Sequence, residues 1–265
     1  MQINGKYKLA DKIGGGSQGD VFCAWNILLG AEVTVKLWHS ELGRALKHEY
    51  HVYKSLTGGP GIPHLYWFGT DYGFHAMVTE HLGSSLQDLV SQSDHKFSID
   101  VVTGIGLQMI TCLEFMHACN FIHHDIKPSN ILTRIDVNNM SSVTVYLIDF
   151  GRAHAYRDHK TCCHLCCQEH VPFVGTNPFA SVNAHTSIEL SCHDDIESLT
   201  YMLIFLLNGS LPWEHSADLC EILQAKLDFP PLTYNIPTAF LSFLEHAQML
   251  SFSAKPDYKL LQRLL

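Results

Sequence analysis

Short runs of aliphatic and aromatic residues, separated by glycine and asparagine clusters, fill the first eighty positions of the chain. Tyr7 to Ile13, Asp20 to Trp25, Glu32 to Leu37, Tyr66 to Thr70 and Ala76 to Glu80 have the length and turn-bounded texture of antiparallel strands. One stretch breaks the series. Across Arg44 to Leu56 the apolar residues Ala45, Leu46, Tyr50, Val52, Tyr53 and Leu56 recur near helical spacing. After Gly83 the texture changes. Ser85 to Ser91, Ile99 to Cys119, Cys192 to Leu207, Leu219 to Leu227, Thr238 to Ser251 and Tyr258 to Leu264 predict helices, and Val143 to Ile148 predicts one short strand. Strands first and helices afterwards is the order of an α+β protein with two segregated lobes. The boundary is expected near Leu82-Gly83, dividing a strand-rich lobe over 1–82 from a mainly helical one over 83–265.

Composition narrows the class. With 46% hydrophobic and 16% charged residues the chain packs a core, and 265 residues suffice for two joined lobes. A net charge of −9 argues against sequence-independent binding to nucleic acid or an anionic membrane. The longest apolar run, Tyr201 to Leu207, is too short for a bilayer span and predicts a buried helix. No charged-then-apolar leader opens the chain, Gln2 offers no myristoylation glycine, and the nine cysteines are an odd number. The expectation is a soluble monomer of the cytoplasm or nucleus with reduced thiols.

Candidate chemistry begins at Ile13-Gly14-Gly15-Gly16-Ser17-Gln18-Gly19-Asp20-Val21, between two predicted strands. Missing Cβ atoms let backbone N–H groups approach phosphates there, although a glycine hairpin without a ligand has the same composition. Fifteen residues past Val21, Lys36 sits within the apolar strand Val33-Thr34-Val35-Lys36. A buried ammonium needs a negative partner, and Glu49 on the predicted helix is the candidate; the alternative is a lysine that snorkels to the strand edge. Further on, His123-His124-Asp125-Ile126-Lys127-Pro128-Ser129-Asn130 and Asp149-Phe150-Gly151 add two Asp, a Lys and an Asn in a fixed order. These residue types suit phosphoryl transfer: an Asp to orient a hydroxyl, a Lys to offset phosphoryl charge, and Asn and Asp oxygens for Mg²⁺.

In this combination the chain resembles a eukaryotic protein kinase, and within that superfamily the casein kinase 1 family. The resemblance runs over essentially the whole sequence. It is carried by Gly58-Gly59-Pro60-Gly61-Ile62-Pro63, Tyr156-Arg157-Asp158, Gly175-Thr176, Ala180-Ser181-Val182-Asn183, Asp194-Asp195-Ile196-Glu197-Ser198-Leu199, Gly209-Ser210-Leu211-Pro212-Trp213 and Lys255-Pro256-Asp257-Tyr258. It implies a bilobal fold, an antiparallel N-terminal sheet with one main helix, and a larger helical lobe. It implies ATP and Mg²⁺ as ligands and protein Ser/Thr hydroxyls as acceptors. Lys36 would hold the α/β-phosphates and pair with Glu49. Asp125 would be the base and Lys127 the γ-phosphate contact, with Asn130 and Asp149 as metal ligands. Gly14, Gly15, Gly16, Ser17 and Gly19 would cover the phosphates, Glu80-His81-Leu82 would be the adenine hinge, and Ile13, Val21, Thr34, Leu132 and Ile148 would wall the base. Thr79 falls at the gatekeeper position, and Asp195 would anchor the catalytic loop.

Several positions depart from that family. Gln18 replaces an aromatic, His124 an Arg for which a protonated imidazole could partly substitute, Thr79 a common Met, and Asn177-Pro178-Phe179 the small-Arg-aromatic triplet that reads an anionic group on substrates. Val171 stands where a Lys is common, and the chain stops at Leu265 without a long tail. The alternative to an enzyme is a weakly active or silent kinase-fold binding module. Unexplained by the resemblance is Cys162-Cys163-His164-Leu165-Cys166-Cys167, where Cys163 and Cys166 have zinc-knuckle spacing, against a reading as reduced surface thiols.

Overall fold

The computed structural model describes residues 1–16, 19–39, 44–92, 96–136, 139–229 and 236–265. Six strands form one antiparallel sheet: β1 (Gln2–Ile3), β2 (Tyr7–Gly16), β3 (Gly19–Asn26), β4 (Ala31–His39), β5 (Leu65–Asp71) and β6 (Phe74–Glu80). Their spatial order is β1-β2-β3-β4-β6-β5. Strand alternation sorts the side chains of β4. Val33, Val35 and Leu37 join Ile3, Tyr7, Ala24, Ala76 and Val78 in a small core on one face, which turns Thr34 and Lys36 to the other. On that other side lies α1 (Arg44–Leu56), whose buried stripe is Leu46, Glu49, Val52, Tyr53 and Leu56. Its helical period therefore carries one carboxylate into an otherwise apolar seam.

The remainder is mainly helical: α2 (Leu86–Gln92), α3 (Ile99–Ala118), α4 (Val182–His185), α5 (Cys192–Asn208), α6 (Leu219–Leu227), α7 (Thr238–Met249) and α8 (Tyr258–Leu264). Helix α5 is buried from Cys192 to Leu206. An all-round buried helix explains why its sequence shows an apolar run and not a stripe. Asp194 Oδ2 accepts from Ser191 N at 2.7 Å at its start, and Gly209, at φ +80°, ends it in the left-handed conformation that glycine tolerates best. Helix α3 is the one described helix long and apolar enough to cross a membrane; Val102, Ile105, Met109, Ile110, Leu113 and Met116 are buried in the large core with α5.

Two departures concern strand pairs. The predicted strand Val143–Ile148 belongs to a longer β9 (Asn139–Leu147), paired with β8 (Ile131–Asp136), which the sequence reading did not anticipate. Ile148 lies just beyond the strand. The other unanticipated pair is β7 (Phe121–Ile122) with β10 (His154–Ala155), two residues each and too short to leave a periodic signal.

Candidate active site

Between the sheet and the helical part runs a cleft of about 860 Å³. Ile13, Gly14, Gly15, Gly19, Val21, Thr34 and Lys36 line it from the sheet, Glu49 from α1, Thr79, Glu80 and Leu82 from β6 and its exit, and Asn130, Leu132, Ile148 and Asp149 from the helical side. Gly19 is obligatory: its φ is +89°, and a Cβ would lie 2.4 Å from the Leu37 carbonyl oxygen. Gly83 is confined by a close approach, since a Cβ there would stand 2.9 Å from the Thr133 carbonyl oxygen, whose bond to Gly83 N is 2.7 Å. Ser17 and Gln18 lie outside the described residues, and Gly16 ends β2.

Lys36 Nζ stands 2.7 Å from Glu49 Oε2 and 3.6 Å from Asp149 Oδ1. Burial pushes the Glu49 carboxyl up, and the Lys36 ammonium pulls it back. The strand lysine is therefore paired and does not snorkel. Asp149 has φ +64°, a left-handed conformation that costs energy for a residue with a Cβ. It is held there by Phe150, fully buried and edge-on to Tyr53 with ring centroids 4.7 Å apart.

The backbone at His123 and His124 hangs from α5. Asp195 accepts from His123 N at 2.7 Å and His124 N at 3.0 Å, and its Oδ2 lies 2.9 Å from His117 Nε2. Burial alone would push the Asp195 carboxyl up, but His117 and the His123 amide outweigh it and leave it below the usual range. His117 is the converse: burial opposes its charge, while Cys192 and Asp195 raise it to about 10.

Asp125 sits at the end of this scaffold, beyond the cleft wall. Its Oδ1 accepts from Thr176 Oγ1 at 2.6 Å and its Oδ2 from Lys127 Nζ at 2.9 Å, while Lys127 also donates to Thr176 Oγ1 at 2.9 Å. Arg152 Nη1 is 3.8 Å from Oδ2. Desolvation would raise this carboxyl, yet Thr176, Lys127 and Arg152 together hold it below its ordinary value, so it is ionised at neutral pH. Asn130 Nδ2 donates to the Asp125 carbonyl at 2.9 Å, which fixes the amide and leaves its oxygen as the hard donor. Asp149 Oδ1 is buried and without a hydrogen-bond partner among the described residues. An orphaned carboxylate oxygen and an amide oxygen on one cleft wall fit a Mg²⁺ ion.

Thr176, Arg152 and His117 escaped the sequence reading as site residues. Only Thr176 left a trace, as part of the Gly175-Thr176 string. His124 does not substitute for the missing arginine: burial lowers its pKa to about 4, so the imidazole is neutral, and Arg152 supplies the cation instead. The cysteine knuckle is not assembled either. Cys163 and Cys166 are exposed, His164 is engaged by Ser191 Oγ at 2.9 Å and the Leu165 carbonyl at 2.8 Å, and among the described residues no third ligand joins the two sulfurs. Compared with known families, residues 7–253 match the model described as the protein kinase domain.

Proposed function

Because the chain belongs to the protein kinase family, we propose that it is a serine/threonine kinase of casein kinase 1 type, transferring the γ-phosphoryl of Mg-ATP to protein hydroxyls. The observation that carries the reading is the pair of prepared carboxylates. Asp125 is ionised beside Lys127 and Thr176, and Asp149 presents an unbonded oxygen in the cleft near the Lys36–Glu49 pair.

On this reading Lys36, fixed by Glu49, positions the nucleotide phosphates, and Asn130 and Asp149 hold the cation. Mg²⁺, when bound, neutralises charge on the phosphoryl oxygens. Asp125 orients the acceptor hydroxyl and takes its proton at a carboxylate oxygen, while the Lys127 ammonium lies close enough to offset charge developing on the transferred group. Thr176 donates to Asp125 and accepts from Lys127, joining the two in one network. The family strings from Gly58-Gly59-Pro60 to Lys255-Pro256-Asp257-Tyr258 support the casein kinase 1 assignment. A weakly active binding module draws support from neutral His124 and from Pro178, but no member of the phosphoryl-transfer set is missing.

The test uses labelled ATP, Mg²⁺ and an acidic generic protein substrate, followed by identification of the labelled amino acid. Label on Ser or Thr, lost in Asp149→Asn, is expected. Label on Tyr, or none above the variant, would overturn the proposal.

A further inference from the structure

At the mouth of the cleft three potential ligands of different chemistry come from three neighbouring strands. On β3, Cys23 lies directly opposite Thr34 of β4. Glu32, two residues before Thr34, shares its face. His81 follows β6, whose last residue, Glu80, pairs with Val33, and so lands beside both. The ligand atoms of Cys23, Glu32 and His81 all lie within 4.8 Å of one another. Among the described residues this is the one place where three such atoms converge.

We propose that Cys23, Glu32 and His81 form a binding site for a Zn²⁺-class divalent cation, joining the roof of the cleft to its hinge. Sulfur, nitrogen and carboxylate oxygen are the donor types zinc takes, and three protein ligands leave a fourth position for water. A thiolate in the set selects against Mg²⁺. The imidazole is already aimed. Thr34 Oγ1 contacts His81 Nδ1 at 3.1 Å, which turns Nε2 toward Glu32 Oε2 at 3.9 Å. A ligating histidine is held by an outer acceptor on its second ring nitrogen, a place that the Thr34 hydroxyl oxygen fills here. The N···O distance is too long for a hydrogen bond; donors around one tetrahedral zinc stand roughly 3.3–3.8 Å apart, so side-chain shifts of about 1 Å complete the site. Burial and the Glu32 and Asp11 carboxylates raise the Cys23 thiol. The same negative surroundings favour a cation, whose binding displaces the thiol proton to solvent as the Zn–S bond forms.

The exposed Cys162, Cys163, Cys166 and Cys167 could bind metal on their own, so they are first changed to Ser in the full chain. That protein, stripped of metal under reducing conditions, is titrated with Co²⁺ and then Zn²⁺. One equivalent with thiolate-to-cobalt charge-transfer absorption, bleached by Zn²⁺, is expected. Cys23→Ser should abolish the absorption, and His81→Ala should weaken binding about 100-fold or more. Thr34→Val should weaken it about 10–100-fold, the range for loss of an orienting partner. Should a site variant fold poorly, the chain in which only Cys162, Cys163, Cys166 and Cys167 are changed answers the question: one equivalent of Zn²⁺ should slow alkylation of Cys23, read by peptide mass spectrometry, about tenfold or more. Absorption that survives Cys23→Ser, or Cys23 alkylated at an unchanged rate with zinc present, would overturn the proposal.

Discussion

His117 and Asp195, both almost fully buried, make the charge pair that carries the catalytic loop. The folded pKa of His117, about 10, lies above its ordinary value near 6.5. The stability it contributes is therefore whole below about pH 6.5 and is lost as pH rises through about 10. Replacing His117 by Asn should cost roughly 3–5 kcal/mol near pH 6, where His117 is charged and Asp195 ionised, the range for breaking a buried pair. The gap in thermal midpoint between the two proteins should narrow toward pH 10. A gap independent of pH would show that the pair is not ionic. Thr79 is the second telling residue. It shares the cleft wall with Glu49, Tyr53 and Met77, and its small side chain leaves the rear of the cleft open. Thr79→Met should weaken an inhibitor whose aromatic group passes the adenine position by roughly 1–3 kcal/mol through overpacking, with ATP affinity nearly unchanged. Equal inhibitor affinity for both forms would count against placing the hinge at Glu80-His81-Leu82.

Elements decide what the protein prefers as a substrate. In the segment before α4, Asn177-Pro178-Phe179 is turned to packing. The Pro178 carbonyl accepts from Trp213 Nε1 at 2.8 Å, and Phe179 is buried edge-on to Phe205. The neighbouring cation is committed as well: Lys226 of α6 is buried and donates to the Asn177 carbonyl at 2.9 Å and to the Ala180 carbonyl. Nor does His185 become a cation in mild acid. Burial and the nearby Lys226 ammonium lower it to about 4, so it does not supply the positive charge of the absent arginine. A phosphate on a primed peptide should therefore forgo charge-assisted hydrogen bonds worth ~1.5–3 kcal/mol. The kcat/KM of a primed peptide is expected to stay close to that of its unphosphorylated parent, with Pro178→Arg restoring part of the preference. A primed peptide favoured tenfold or more at neutral pH would refute this. The same scale shows what the sequence could and could not reveal. The strands β2 to β6 were legible as short aliphatic and aromatic runs bounded by glycine and asparagine clusters, and helix α1 by its recurring apolar positions. Strand β8 and the pair β7–β10 were not, because β8 mixes apolar residues with Thr, Arg and Asp and β7 and β10 are two residues each; of β9 only the part from Val143 on was legible.

For the whole molecule, the cleft arises where two independently patterned parts meet, and its wall was legible to the extent that spacing within each part was. Lys36, Asn130 and Asp149 could be named from motifs because each stands at a short offset within a recognisable string, whereas Leu132 was named only through the resemblance. Thr176 and Arg152 reach Asp125 across a span of sequence that no local pattern measures. His117 is farther from motif logic still, since its part is played through Asp195. If Asp125 handles the acceptor proton, as proposed, it does so without holding the nucleotide, since it lies beyond the cleft wall. The most direct measurement compares phosphoryl transfer and Mg-ATP affinity in Asp125→Asn and the unmodified chain. Transfer should fall to background, with the Kd for Mg-ATP within about threefold of the original. Transfer at the original rate in Asp125→Asn would contradict the account, as would background labelling identical in both proteins.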